Sequence, residues 1–265
     1  TEPRDVGQDS TGRGGTSVTL ADVDGDGRLD LYVANYKAYS FDDSVPPRER
    51  VFGQMVRQTA PGKYEIVPEF RREYRLVNRP DMGGLRMTVR GEPDDFYLNN
   101  GGRFSRVPIT AGRFRDAQGR PLGDEAESFT LDARFADLNG DGAPDLYVAN
   151  DFEDPDQLWW NDGHGSFRLA DWTALRQLSN AAMGPDVADV NGDGLPDVFV
   201  VDMLSNDSHR LKTQIPTHTA FPKQPGDLET QLQQQRNTVF VDRGDGTFVE
   251  AAMFAGIQAT GWSWS

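Results

Sequence analysis

Short apolar segments alternate along this chain with tight clusters of aspartate, asparagine and glycine. Three of these segments are rich in β-formers, too short for typical helices, and each follows a polar stretch of eight residues or so: DLYVAN (30–35), DLYVAN (145–150) and DVFVVD (197–202). A second pattern consists of an apolar strand, a Gly/Asn/Asp turn, a phenylalanine and another strand, and it is found at 94–107, 156–170 and 237–251. The second pattern predicts β-hairpins.

Together the two patterns predict four antiparallel strands in each repeat, which is typical of a propeller blade. We therefore predict an all-β fold, a β-propeller of three to four blades with insertions. Closure of a propeller needs about four blades. Because the chain ends within an apolar segment after three or four of them, we expect a partial propeller that belongs to a longer protein.

The repeats divide the chain into predicted units. They are an N-terminal linker (1–13), blade one (14–110) with a long insertion (36–94), blade two (126–172), blade three (180–252) with an insertion (203–236), and the first strand of a further blade (255–265). Two interpretations of blade one stay open. Either 95–108 is its closing hairpin, or 50–67 is that hairpin and 72–108 is a degenerate blade. Residues 111–125 are predicted to be a loop, and 227–236 contains helix formers without a strand pattern.

The polar stretch before each apolar segment repeats one spacing of oxygen ligands. Counted from Asp22, acidic or amide side chains occupy positions 1, 3, 5 and 9, a glycine occupies position 6, and position 7 offers its backbone carbonyl. An EF-hand needs a glutamate at position 12 and a helix after it, but Val33 stands there and a strand follows. The predicted ligands are Asp22, Asp24, Asp26, Arg28 and Asp30 in the first loop, Asp137, Asn139, Asp141, Ala143 and Asp145 in the second, and Asp189, Asn191, Asp193, Leu195 and Asp197 in the third.

An all-oxygen shell of this kind suits Ca²⁺, which takes about 6–8 oxygen ligands. Three loops predict about three Ca²⁺ ions as the cofactor. We expect these ions to be structural, because each would join two strands whose carboxylates otherwise repel each other, and because the loop leaves little of the shell open.

Charge and composition limit the kinds of partner that the protein can bind and the cellular compartment in which we expect it. The net charge is −15, and aspartates in the three loops carry much of it. The sequence has no Lys/Arg stripe, so we expect no nucleic-acid partner, and no apolar run reaches the roughly 20 residues of a membrane-spanning helix. The chain has no cysteine, which excludes disulfides and thiol catalysis. Extracellular calcium modules bind at about 10⁻⁴–10⁻³ M, so we expect a secreted, periplasmic or cell-surface protein.

The loops, with DLYVAN and NTVFVDRGDGTF, resemble FG-GAP/VCBS repeats, the calcium-bearing propeller blades also found in integrin α-subunits. The stretches GEPDDFYLNNGGRF, VVDMLS and AGIQATGWSWS are similar to the cartilage acidic protein-like family of secreted bacterial proteins, which often carry an ASPIC/UnbV module after the repeats. That module is not visible in this sequence. The resemblance covers nearly the whole chain, and it implies that 36–94 is an insertion and that the protein has a recognition role.

Other motifs favour structural roles. The tripeptide Arg243-Gly244-Asp245, which some integrins bind, lies in one of the repeated hairpin turns. Trp159 and Trp160 are adjacent in a predicted strand, so their side chains point to opposite faces and packing is favoured over sugar stacking. Trp262 and Trp264 share one strand face and are expected in the core.

Three functions follow from these observations. We favour a non-catalytic scaffold for recognition or adhesion, with a protein or carbohydrate partner at the cell surface and the insertions 36–94 and 203–236 as its variable parts. A calcium-dependent polysaccharide lyase is the alternative, because residues 48–90 are rich in arginine and contain Tyr64 and Tyr74. A structural subunit of a larger surface assembly is the third.

Overall fold

The computed structural model describes residues 13–37, 51–79, 84–123, 127–151, 154–214 and 232–264, in which strands far outnumber helices. In chain order the strands are β1 (Gly15–Ala21), β2 (Asp30–Asn35), β3 (Val56–Ala60), β4 (Lys63–Ile66), β5 (Tyr74–Arg79), β6 (Gly84–Val89), β7 (Glu92–Pro93), β8 (Asp95–Asn99), β9 (Phe104–Val107), β10 (Phe114–Arg115), β11 (Glu127–Ser128), β12 (Thr130–Ala136), β13 (Asp145–Asn150), β14 (Gln157–Asn161), β15 (Phe167–Leu169), β16 (Gln177–Ser179), β17 (Gly184–Ala188), β18 (Asp197–Val201), β19 (Met203–Leu204), β20 (Leu232–Gln234), β21 (Thr238–Asp242), β22 (Phe248–Glu250) and β23 (Gly261–Trp262). The helices are α1 (Phe52–Met55), α2 (Ser208–Gln214) and α3 (Ala252–Ala255), with single 3₁₀ turns at Pro68–Phe70 and Ile109–Ala111. None of the helices in the described ranges is long and apolar enough to cross a membrane.

Three antiparallel sheets carry the repeated pattern. Sheet 1 has the strand order β1-β2-β8-β9, and sheet 3 has the order β17-β18-β21-β22. Sheet 2 has the order β12-β13-β14-β15 and gains a fifth strand, β10, which pairs in parallel with β15. In each sheet the first two strands flank a predicted metal loop and the last two form the predicted hairpin. The all-β prediction is therefore confirmed.

The two strands joined by each predicted metal loop pair in the same register in all three sheets. An alanine that ends the first strand pairs with the aspartate at loop position 9, in the pairs Ala21–Asp30, Ala136–Asp145 and Ala188–Asp197. Because the strands run alternately up and down, the metal loops and the hairpin turns all lie at one end of the sheets, which we call the loop face. The connections from second to third strands lie at the opposite end, the insertion face.

The sheets are held together by two apolar clusters, one between sheets 1 and 2 and one between sheets 2 and 3. The largest fully buried members of the first are Phe96, Phe114, Leu146, Val148 and Phe167, and those of the second are Leu138, Tyr147, Leu178, Val198 and Phe240. Side chains that alternate along one strand of sheet 2 thus enter different clusters. Sheet 2 is covered on both faces.

The segment that follows the last strand of one sheet runs alongside the last strand of the next sheet and forms hydrogen bonds with it. The N–H of Phe167 donates to the Arg113 carbonyl at 2.7 Å, and the N–H of Phe248 donates to the Ala174 carbonyl at 3.1 Å. The prediction of a loop over 111–125 is therefore incomplete, since this stretch contains β10 and the buried Phe114. A strand of two residues is too short to show a periodic pattern, which explains why the sequence did not reveal it.

The segment between β2 and β8 forms two hairpins of its own, β3–β4 and β5–β6. Their shared core consists of Met55, Val56, Ile66 and Tyr74. Neither hairpin joins sheet 1, whose last two strands are β8 and β9. The interpretation in which 50–67 closes the first unit does not match this pairing. The part of the insertion at 38–50 lies outside the described residues.

Two further elements differ from the sequence expectations. Leu232–Gln234, within a stretch of helix formers, is the strand β20, and it pairs in parallel with β16. The helix in this second insertion, α2, lies earlier in the chain, and 215–231 falls outside the described residues. Near the C-terminus, β23 pairs with β19, and Trp264, expected in the core, is 61% exposed.

Candidate functional site

The three predicted metal loops fold in the same way around the aspartate at position 1. In the first loop, Asp22 Oδ1 accepts the N–H groups of Gly25 at 2.9 Å and Asp26 at 3.1 Å, and Oδ2 accepts the N–H of Gly27 at 2.8 Å. Asp137 and Asp189 accept the equivalent three N–H groups in their loops. Gly27 has φ of 83°, a left-handed conformation that glycine adopts at little cost. The backbone therefore orients the first ligand before any ion is considered.

The aspartate at position 9 is the buried anchor of each loop. Asp30 Oδ2 accepts the N–H of Val23 at 3.1 Å, and Oδ1 accepts the N–H of Asn99, on the third strand of the sheet, at 2.8 Å. Asp145 and Asp197 make the same two hydrogen bonds in their sheets, and all three are at most 1% exposed. Burial raises the pKa of Asp30 and raises that of Asp145 to about 7. These carboxylates lie where a nearby cation would stabilise the charged form.

The structure brings together three of the five residues predicted in the first loop. Single carboxylate oxygens of Asp22, Asp24 and Asp30 all lie within 4.8 Å of one another. Asp26 instead forms an ion pair with Arg28, which the prediction used only for its carbonyl. In the described part of the chain, Arg28 is the only basic side chain paired with a carboxylate of the three loops.

The second and third loops carry an amide at position 3 instead of a carboxylate. Asn139 Oδ1 accepts the N–H of Asp141 at 2.9 Å, and Asn191 Oδ1 accepts the N–H of Asp193 at 2.9 Å. In the first loop Asp24 makes the equivalent contact with Asp26 at 3.3 Å. The side chains predicted to bind the metal in the three loops all offer oxygen atoms as ligands. An all-oxygen ligand set fits Ca²⁺ and does not fit metals that prefer nitrogen or sulfur ligands.

The first loop also contacts the neighbouring sheet. The Val23 carbonyl accepts the N–H of Gly165 at 2.9 Å and the side-chain N–H of Asn161 at 2.9 Å. Gly165 lies in the hairpin turn of sheet 2, and Asn161 ends the strand before that turn. The conformation of this loop is therefore coupled to sheet 2 as well as to sheet 1.

Two buried Tyr–Asp pairs lie toward the insertion face, and sequence reasoning missed them. Tyr32 donates to Asp94 at 2.6 Å, and Tyr147 donates to Asp156 at 2.8 Å. Burial raises the pKa of both aspartates to about 7. In sheet 3 the equivalent position is Asn237, whose Oδ1 accepts the N–H of Asp202 at 2.7 Å. A polar residue directly precedes the third strand of every sheet, and this repeat in the sequence could have indicated a structural role for these residues.

The adjacent tryptophans of β14 enter different interfaces. Trp159 is 4% exposed and lies in the cluster between sheets 1 and 2, whereas Trp160 packs against the cluster between sheets 2 and 3. The outer part of Trp160 also lines a cleft of about 650 Å³ between sheets 2 and 3. The expectation that the two side chains point to opposite faces is correct, and both interfaces lie between sheets.

The tripeptide Arg243-Gly244-Asp245 forms the hairpin turn between β21 and β22. Asp245 Oδ1 accepts the Thr247 N–H at 3.0 Å, which with the Thr247 hydroxyl lowers the pKa of Asp245. Asp245 thus forms hydrogen bonds within its own hairpin turn, and this structural role accounts for the tripeptide.

Comparison with known proteins agrees with the repeated sheets. Residues 137–200 match the family described as FG-GAP-like repeat, and residues 14–44 match the FG-GAP repeat. These matches support an FG-GAP repeat protein. Both matched segments contain predicted metal loops: the longer one spans the second and third, and the shorter one contains the first.

No curated protein matches the chain. Among solved structures, one similar chain is an Agrocybe aegerita lectin described as specifically recognising non-reducing terminal N-acetylglucosamine, with 16% identity and a TM-score of 0.30. The alignment covers 87% of this chain and 49% of the lectin, so the chain spans about half of the lectin's length.

Proposed function

We propose that this protein is a non-catalytic, calcium-stabilised β-propeller that serves as an exported scaffold for recognition or adhesion. The observation that carries the proposal is the loop face. There, three loops of one conformation present oxygen ligands beside the hairpin turns of three neighbouring sheets.

In each loop we propose that the residues at positions 1, 3, 5 and 9 hold one Ca²⁺ through their side chains. The residue at position 7 (Arg28, Ala143 or Leu195) would add its backbone carbonyl. A bound ion would neutralise carboxylates that repel each other, and it would link the two strands on either side of the loop. The buried aspartate at position 9 extends that link to the third strand, as Asp30 does through Asn99.

The propeller arrangement is supported by an apolar row on the outer face of sheet 1. Val18 pairs with Val33 and Leu20 pairs with Leu31, and the two residues of β1 are 59% and 49% exposed. In sheet 2 the side chains on the equivalent face of β13 are buried against sheet 1. A further sheet packed on this row would bury it in the same way and continue the propeller.

The described part of the first insertion, on which the polysaccharide-lyase alternative rests, favours a structural role for that segment. A lyase of uronate polymers needs a basic groove with an accessible tyrosine or basic residue. In the described part of the first insertion, Tyr74 is 5% exposed and belongs to the local core. Arginines of this segment form ion pairs, including Arg71 with Glu65 at 2.8 Å and Arg75 with Asp154 at 2.5 Å. Tyr64 is exposed but lies on a separate hairpin.

Export to the periplasm, cell surface or medium is part of the proposal, because weak calcium loops fill only at extracellular calcium concentrations. The expected partner is a protein or carbohydrate at the cell surface.

The proposal is tested by thermal unfolding and by binding under controlled calcium. A ligand that binds only the folded state raises stability by RT ln(1 + [L]/Kd) per site. We expect a higher melting temperature in excess Ca²⁺ than in chelator, and calcium-dependent retention of the purified protein on extracellular polysaccharide or cell-envelope fractions. An unchanged melting temperature contradicts the calcium loops. Steady growth of ultraviolet absorbance from unsaturated sugar on pectic substrates contradicts the non-catalytic role.

A further inference from the structure

Three neighbouring strands of sheet 2 place two arginines and a tryptophan in one row. Arg115 on β10 is the register partner of Arg168 on β15, and Arg168 is the register partner of Trp160 on β14. Register partners in adjacent strands project from the same face of a sheet, about 5 Å apart at their Cβ atoms. Phe114 and Phe167, which directly precede the two arginines, stack on each other in the cluster on the other face, with their ring centroids 4.8 Å apart. The row therefore faces away from sheet 1 and toward the cleft.

Like charges that lie directly opposite each other in a sheet repel, and an anion bound between Arg115 and Arg168 would offset this repulsion. Arg115 is exposed and donates to the Gly119 carbonyl at 3.1 Å. Arg168 is also exposed, and among the described residues its side chain forms neither a hydrogen bond nor an ion pair. The fixed fork of donors on each guanidinium suits a carboxylate. The pair is thus a cationic group without an anionic partner.

The rest of the cleft offers a different chemistry. Sheet 3 covers the inner strands of sheet 2, but the outer strands stay open along a cleft of about 650 Å³. Trp160 forms an apolar wall beside the arginines. Asp162 and Asp245, in the hairpin turns of sheets 2 and 3, line the side of the cleft nearest the loop face, next to Asn139 and Asp141 of the second predicted metal loop. A ligand that satisfies every part needs one anionic group, a flat apolar face and several hydroxyl donors.

We propose that this cleft binds an acidic sugar residue, a uronate within an oligosaccharide. Its carboxylate is held by Arg115 and Arg168, its ring stacks on Trp160, and its hydroxyls donate to the carboxylates of Asp162 and Asp245. Stacking of an apolar ring face on an aromatic side chain, with a few polar groups that orient it, is the usual make-up of a small-ligand site. The proposal rests on the recognition function above and names its ligand class.

The other sheets provide the comparison that isolates the site. In sheet 1 the positions of Trp160 and Arg168 are occupied by Leu98 and Ser105, and in sheet 3 they are occupied by Val241 and Val249. Trp160→Leu and Arg168→Ser therefore install residues that the same strands already accommodate in sheet 1. Matched controls are Arg103→Ser, in the hairpin turn of sheet 1, and Trp172→Leu, an exposed tryptophan outside the cleft.

The test is isothermal titration calorimetry in excess Ca²⁺ with trigalacturonic acid, a hyaluronan tetrasaccharide, neutral galactotriose and inorganic phosphate as probes. We expect saturable binding of at least one acidic oligosaccharide, at least tenfold weaker binding of galactotriose and phosphate, and a tenfold or greater loss in Arg168→Ser and Trp160→Leu. The two control variants should bind like the parent. Melting temperatures show that each variant is folded.

Three results overturn the proposal: no saturable binding of either acidic probe, equal binding of galactotriose or phosphate, or unchanged binding in both cleft variants. These results are separate from failure of the recognition function. If envelope fractions retain the parent and Arg168→Ser equally, the protein recognises its partner elsewhere. If they retain neither while calcium still raises the melting temperature, the scaffold has no demonstrated partner and the recognition function itself fails.

Discussion

The same six residues, DLYVAN, form the second strand of sheet 1 and the second strand of sheet 2, yet their surroundings differ. In β2, Tyr32 and Ala34 on the face toward sheet 2 are buried, whereas Leu31 and Val33 on the other face are half-buried. In β13 all six residues are buried, because sheet 1 covers one face and sheet 3 covers the other. The same six residues therefore bury apolar side chains mainly on one face in sheet 1 and on both faces in sheet 2.

This difference shows that the repeat encodes the strand and its register, whereas its share of the stability depends on the neighbouring sheets. Leu146 and Val148 contact the first cluster, while Tyr147 and Ala149 contact the second. The comparison between β2 and β13 can be tested at matched positions, with identical substitutions in the two copies.

The largest expected effect is truncation of the matched leucines. Leu146 is fully buried, so Leu146→Ala should lower the free energy of unfolding by about 2–5 kcal/mol through lost burial and the cavity left behind. Leu31→Ala, in the half-buried copy, should cost clearly less, about 1 kcal/mol. Denaturant unfolding of both variants measures the two values. Equal losses would mean that the outer face of sheet 1 is covered in solution.

The next effect concerns the matched tyrosines. Tyr147→Phe removes the donor to Asp156 and leaves a buried carboxylate with one partner fewer, which should cost about 1–3 kcal/mol. Tyr32→Phe removes the equivalent donor to Asp94, but Thr130 still donates to the same oxygen at 2.8 Å. We therefore expect the smaller loss in sheet 1. The order of the two unfolding free energies, measured side by side, decides this prediction.

The two buried aspartates also predict a pH dependence. Asp94 and Asp156 have pKa values of about 7 in the folded protein against 3.8 as the ordinary value, so the native state binds their protons more tightly than the unfolded state. Their contribution to stability is therefore present in full below about pH 4 and is lost as the pH rises toward 7.

The measurement compares the parent with Asp156→Asn and with Asp94→Asn at pH 5 and pH 7.5 in chelator. Each variant should show a smaller fall in the free energy of unfolding over this interval than the parent does. Asn237→Ala in sheet 3 serves as the control, since Asn237 accepts the equivalent backbone N–H, that of Asp202, and its removal takes away no titrating group. A parent-like slope in both aspartate variants would contradict the prediction.

The smallest effect concerns the metal loops themselves. Asp24→Asn gives the loop of sheet 1 the ligand set of the loop of sheet 2, which has Asn139 at this position. A calcium site with fewer charged ligands binds the ion more weakly. Because Asp24→Asn removes one charged ligand, we expect calcium binding at this site to weaken by about one order of magnitude or less. The reverse variant, Asn139→Asp, should strengthen binding in sheet 2. Calorimetric calcium titrations check both, and opposite signs would show that the loops are not equivalent metal sites.

Much of the fold was predictable from local pattern. The strands that flank each metal loop and the three hairpins follow from apolar periodicity and from turn residues, because both act over a few neighbouring residues. The same holds for the spacing of Asp22, Asp24 and Asp30, which the structure brings within 4.8 Å of one another. The ion pair of Asp26 with Arg28 was not predicted, since Arg28 was considered only for its backbone.

Elements that depend on distant partners were missed. The strand β10 has only two residues, and it exists because β15, about fifty residues later in the chain, offers an open edge. Trp264 had the pattern of a core residue, yet it is 61% exposed. The buried Asp94 and Asp156 were overlooked because an aspartate before a strand is ordinarily a turn residue.

The sequence by itself thus determined the repeated strand–loop–strand unit, the hairpin that completes it and the oxygen-rich loop between its first two strands. These features are local, and identical segments such as DLYVAN adopt them in both copies. Only the tertiary structure decided which copy is buried on both faces, which carboxylates lose their water, and that Arg115, Arg168 and Trp160 share one row. The physical reason is that burial and charge proximity depend on which sheets stack on each other, and residues separated by tens of positions contribute to both.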